Sequence, residues 1–99
     1  MKGYAYHREA RAEYHAEIEY YRGISRKLGQ AFVKEVEAAI KRIRDFPEAN
    51  SPIGGGLRRR QLHRFPHIIV YEIQEHTIFV WAVAHIRREP GYWKGRLAY

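Results

Sequence analysis

His85, Arg87, Arg88, Tyr92, Trp93 and Lys94 fall within ten residues near the end of this 99-residue chain. Arginine and lysine grip phosphates or carboxylates, and the aromatic rings stack on bases or anchor a protein partner. A histidine near its ordinary pKa exchanges protons around neutral pH. Metal-free cleavage of RNA asks for a base at the 2′-hydroxyl, an acid at the leaving 5′-oxygen and cations on the phosphate. By type alone, His85 could exchange such a proton and Arg87 could hold a phosphate. A second basic group, Arg58, Arg59, Arg60 and Arg64, lies upstream. Together with Arg88, Trp93 and Lys94 it could contact nucleic acid or a protein target.

Each feature also has a plainer role. Along a strand, at most two of Arg58, Arg59 and Arg60 share a face, and charges on an edge strand protect it from aggregation. Arg87 and Arg88 could pair with a nearby acid such as Glu89. His85 could face the core, and Tyr92-Trp93 could cap the core or pack on the first helix. Gly54–Gly56 lacks the lysine, the Ser/Thr and the strand-before-helix setting of a phosphate loop, so it reads as a turn. The six histidines show no metal-ligand spacing and there is no cysteine, so neither a metal nor a cofactor is expected. Glu35 and Glu37 point to different helix faces and make no carboxylate pair.

Behind these residues stand the elements that must hold them. Thr77–Ile86 is a nearly unbroken apolar run, expected as a strand buried on both faces that fixes the end carrying Arg87. Lys2–His7 reads as a first strand. Arg8–Tyr21 carries Ala10, Tyr14, Ile18 and Tyr21 on one helical stripe, and Gly23 should end that helix. Ser25 is placed to cap a second helix running to about Arg44, with Leu28, Phe32, Val36, Ala39, Ile40 and Ile43 as its buried stripe. Phe46-Pro47 should close it. A loop is expected from Pro47 to Gly56, then strands at Leu57–His63, Ile68–Gln74 and Thr77–Ile86, with Glu75-His76 as a tight hairpin. The expected fold is α+β, a two-layer sandwich in β-α-α-β-β-β order, with both helices on one face of a small, mainly antiparallel sheet. The other face, carrying the arginines, would be left for a partner.

The length suits one domain over residues 1–99 with a modest core. The net charge of +7 is uneven: residues 1–56 hold ten Lys/Arg against eight Asp/Glu, and residues 57–99 hold eight against three. That excess favours a polyanion or an acidic protein. With no apolar leader and no membrane-length apolar run, a cytoplasmic protein is expected.

Several stretches in order resemble one family. They are Glu19-Tyr20-Tyr21, then Gly29, Phe32, Glu35-Val36 and Ala39-Ile40, then Phe46-Pro47-Glu48 and Gly54–Arg59. Arg64-Phe65-Pro66-His67 with Val70-Tyr71, and Ala84-His85 with Arg87-Arg88 and Pro90–Trp93, complete the series. The chain resembles the RelE/ParE superfamily of toxins from type II toxin–antitoxin systems, nearest its ParE-like, plasmid-stabilisation branch.

The resemblance implies a growth-inhibiting toxin held inactive by a cognate acidic antitoxin encoded in the adjacent gene, with operator DNA bound only through the antitoxin. ParE-like members poison DNA gyrase, whereas RelE-like members cleave mRNA on the ribosome. In RelE-like toxins, arginines on the last two strands and a C-terminal tyrosine do the chemistry. Arg87 matches the strand-end arginine. An ungapped match puts Trp93 at the tyrosine, Tyr92 fits only if one residue is dropped, and Ile68 stands where an arginine is wanted. The expectation is therefore a ParE-like gyrase inhibitor. The alternatives are a metal-independent mRNA endonuclease of RelE type and a non-toxic relative kept as the antitoxin's partner.

Overall fold

The structure, a computed structural model, describes residues 2–98. The order is β1 (Gly3–Tyr6), α1 (Arg8–Ile24), α2 (Arg26–Asp45), a 3-10 turn at Pro47–Ala49, β2 (Pro52–Gly54), β3 (Leu57–Gln61), β4 (His67–Ile73), β5 (Thr77–His85) and a C-terminal 3-10 helix, Tyr92–Ala98. Two helices cover one face of a five-stranded mixed sheet ordered β1-β5-β4-β3-β2, the expected α+β sandwich. Only β1 and β5 run parallel. The short edge strand β2 lies inside the segment expected to be loop. None of the described helices is long and apolar enough to cross a membrane.

The helices form where their apolar stripes require. Ala10 and Tyr21 of α1 are buried, with Tyr14 and Ile18 packed beside them, and α2 buries Phe32, Val36, Ala39, Ile40 and Ile43. Ser25 serves both helices. Its N–H closes α1 on the Tyr21 carbonyl at 3.0 Å, and its Oγ accepts from the Leu28 N–H at 3.0 Å to open α2. The two helices cross closely at Gly29, where a Cβ would stand 3.2 Å from the Arg22 Cα. Tyr20, beside the buried Tyr21, points outward and is 62% exposed.

The strand core is two clusters on opposite faces. Ile69, Tyr71, Ile78, Val80 and Val83 meet the helices. Leu57, Ile68, Val70, Ala82 and Ala84 gather with Trp93 on the other side, with Leu97 packed against them. The second face is thus partly covered by the chain's own tail, and less of it is open to a partner than expected. This cover is also why β5 can be apolar on both sides.

A bulge in β5 decides which way its end points. Val70 pairs with Ala82, but Tyr71 pairs with Val80, leaving Trp81 as an extra residue. Side chains alternate along a strand, so one inserted residue reverses the facing of all that follow. Ile78 and Val80 face the helices before the bulge, and Val83 does so after it. His85 therefore lands on the helix side, opposite its partner His67.

Candidate functional site

The end of β5 is organised by Glu13 of α1. Strand β1 pairs with β5 from Gly3–Thr77 as far as Tyr6–Val80, where the chain turns into α1. Two side chains complete the edge beyond that point. Glu13 Oε1 accepts the Val83 N–H at 3.0 Å, and Arg96 Nη1 donates to the Trp81 carbonyl at 2.9 Å. The two also form a forked pair, Arg96 Nη2 to Glu13 Oε2 at 2.7 Å and Nη1 to Oε1 at 3.2 Å. Their side chains are 9% and 14% exposed, so this is a desolvated, charge-assisted pair. It seals a sheet edge and pins the tail at once.

Tyr92 and Arg88 are drawn into the same cluster. The Tyr92 hydroxyl donates to Glu13 Oε2 at 2.6 Å, and Arg88 Nη1 reaches the same oxygen at 3.3 Å. The Arg88 guanidinium also lies over the Tyr92 ring, 3.6 Å from its centroid. Burial, then the bond to Glu13 and its charge, push the Tyr92 hydroxyl well above the usual tyrosine range. Tyr92 is thus a donor committed to Glu13. Arg88 has an ion-pair partner, but it is Glu13 rather than the neighbouring Glu89.

His85 and Arg87 stand apart from that cluster. They share an open cleft of about 490 Å³ between the last turn of α1 and the β4 and β5 ends, lined also by Glu17, Tyr20, Ile24 and Ile86. His85 Nδ1 accepts the Arg87 backbone N–H at 3.0 Å, so in the neutral ring the proton sits on Nε2. The Arg87 side chain is exposed and meets no carboxylate among the described residues.

Beneath the cleft, His67 is completely buried. Glu17 Oε2 comes within 3.3 Å of its Nε2 without hydrogen-bond geometry, and neither ring nitrogen has a hydrogen-bond partner among the described residues. The His85 ring lies 5.2 Å away. Burial lowers the His67 pKa from 6.5, the Glu17 carboxylate opposes that, and His85 adds to it.

The upstream arginines divide by parity. Arg58 and Arg60 pair with Tyr71 and Ile69, on the helix side of the sheet. Arg58 donates to the Asn50 carbonyl at 2.6 Å, and Arg60 donates to Asn50 Oδ1 at 3.2 Å. Asn50 in turn donates to the Tyr71 hydroxyl at 3.1 Å, which donates to the Pro47 carbonyl at 2.7 Å. These two arginines therefore tie down the Pro47–Ser51 segment. Arg59 lies on the opposite face and is exposed, as are Arg64 and Lys94. Trp93 is buried and Ile68 shares its cluster, so the residue replacing an arginine is part of the tail's packing.

Three residues were missed from sequence. Glu13 and Arg96 carried no motif. Glu35 closes the β3–β4 connection by accepting the backbone N–H groups of His63 and Arg64, the latter at 3.1 Å. Glu35 stands 28 residues before His63, so no local spacing tied the two together.

The family model of the ParE toxin of type II toxin-antitoxin system, parDE, matches residues 4–90. No curated protein matches the sequence significantly. Among solved structures, the chain is similar to one described as the chromosomal ParDE TA system from P. aeruginosa. The two are 17% identical with a TM-score of 0.73, over 86% of this chain and 96% of that one, which establishes a common fold. With the match spanning β1 through the Arg87 rim, this chain belongs to the family of ParE toxins of type II toxin–antitoxin systems.

Proposed function

We propose that the chain is a single toxin domain that arrests bacterial growth in the cytoplasm by binding DNA gyrase, without chemistry of its own. A cognate acidic antitoxin from the adjacent gene neutralises it, and operator DNA is bound only through that antitoxin. The observation carrying this reading is the Tyr92 hydroxyl, held 2.6 Å from Glu13 and pushed to a high pKa. A phenol committed to a carboxylate acceptor is poorly placed to move protons on RNA. The arginine position next to it is the packed Ile68. Arg59, Arg64, Arg87 and Lys94 remain exposed and are the cations we assign to target contact.

Induced expression without antitoxin should raise the SOS response and gyrase-linked DNA breaks while mRNA stays intact. Cleavage of mRNA at ribosomal A-sites with undamaged DNA would overturn the reading. So would normal growth, which would mark a non-toxic partner of the antitoxin.

One observation favours the RNA-cleaving alternative: His85 and Arg87 do share an open cleft. In that case Arg87→Ala and His85→Ala should abolish mRNA cleavage. Full toxicity in both variants and in Tyr92→Phe would remove it.

A further inference from the structure

Six large hydrophobic residues are exposed among the described residues, and three of them, Tyr20, Ile24 and Ile86, line the cleft that holds His85 and Arg87. They are 62%, 59% and 53% exposed. Scattered apolar residues on a surface need no explanation, but several converging on one concavity mark a contact site. Tyrosine and arginine at such a site are the residue types that carry most binding energy in protein interfaces.

The charges around the cleft select the occupant. Glu17, the one carboxylate in the lining, lies 3.3 Å from the buried His67. Arg87 has no carboxylate partner among the described residues, and His85 presents its Nε2–H because Nδ1 is engaged by the Arg87 backbone. The surface therefore offers an apolar seat with a guanidinium and an imidazole donor at its rim. Its complement is an apolar side chain followed closely by a carboxylate. Residues 57–99, with eight cations against three acids, extend the same preference outward.

We propose that this cleft anchors an acidic segment of the antitoxin through one apolar side chain seated among Tyr20, Ile24 and Ile86 and one carboxylate on Arg87. The inference rests on the toxin–antitoxin reading above and adds the place of contact. A segment seated there covers Arg87 and His85 together, so it blocks the rim whether the toxin works by contact or by cleavage.

The test is the affinity of the purified toxin for the tagged product of the adjacent reading frame, measured for Ile86→Asp, Arg87→Glu and the milder pair Ile24→Ala with Ile86→Ala. All three positions are exposed, so melting temperatures should stay near that of the native protein. Each change should weaken binding by about tenfold or more, since anchor residues of this kind typically cost that much on truncation. Native-like affinity in the folded variants would overturn the proposal. Loss of toxicity with antitoxin affinity unchanged would also overturn it, by assigning the cleft to the target. Loss of a native dimer on gel filtration, again with unchanged affinity, would assign it to a second copy. If the native toxin itself binds no such product, the toxin–antitoxin reading fails first and the docking proposal with it.

Discussion

Glu13→Ala should be among the most damaging single changes outside the apolar core. It removes both halves of the fork to Arg96, at 2.7 and 3.2 Å, together with the acceptor for the Val83 N–H and the Tyr92 hydroxyl. Arg96 then keeps its charge on a side chain only 9% exposed, faced by the Trp81 carbonyl and by the more distant, mostly exposed Glu9 at 3.7 Å. Stranding one member of a buried pair costs about 3–5 kcal/mol. A domain of this size has about 5–15 kcal/mol in total. At about 4–8 °C per kcal/mol for a chain of up to about 100 residues, the melting temperature should drop by at least about 12 °C. The assay is chemical and thermal unfolding of Glu13→Ala, Arg96→Ala and the double variant. Because each single change already removes the whole fork, the double variant should be less destabilised than the two losses added. A Glu13→Ala cost under about 1 kcal/mol, the level of an ordinary surface ion pair, would refute the reasoning. Strict additivity would do the same.

Other consequences can be measured on the same protein. Gly29→Ala would put a Cβ 2.3 Å from the Arg22 Cγ and 3.2 Å from its backbone, so urea unfolding should show a loss of about 1–3 kcal/mol from overpacking at the helix crossing. Gly55 sits at φ +63° with open space around it, so Gly55→Ala should lose about 1–2 kcal/mol from backbone strain alone, and Gly55→Asn less. His67 has a folded pKa below its ordinary 6.5. Its contribution to stability is whole above pH 6.5 and is lost as pH falls through the depressed folded value, because only the unfolded chain takes up the proton readily. Denaturant midpoints from pH 7.5 down to 4.5 should show this decline, and His67→Gln should flatten that part of the curve. A native protein whose stability does not change across that interval would contradict the burial of a neutral His67.

The helices were legible because their signals are local. The stripe from Leu28 to Ile43 repeats at helical spacing, and Ser25 and Phe46-Pro47 mark the ends with short-range chemistry that the structure reproduces. The hairpin at Glu75-His76 and the glycine turn at Gly54–Gly56 were legible for the same reason. The brief strand Pro52–Gly54 was not, since proline and glycine read as loop and its pairing with β3 includes a register shift. The two fates of Arg58–Arg60 were half visible. Alternation predicts that they split between faces, but not that Asn50 would hold the pair on the helix side.

The sequence alone determined the family, the α+β layering and the apolar strand that carries Arg87, because periodicity, turn residues and motif order are properties of neighbouring residues. Tertiary structure decided what the rim can do. The bulge at Trp81 reverses His85 onto the helix side, and a run as uniformly apolar as Thr77–Ala84 gives no pattern from which to see it. Glu13 gathers Tyr92 and Arg96 from 79 and 83 residues away, a convergence that no local spacing encodes. It holds the Tyr92 hydroxyl on Glu13 while Arg87 stays exposed, since a largely desolvated carboxylate takes the donors that can reach it and leaves those that cannot to solvent.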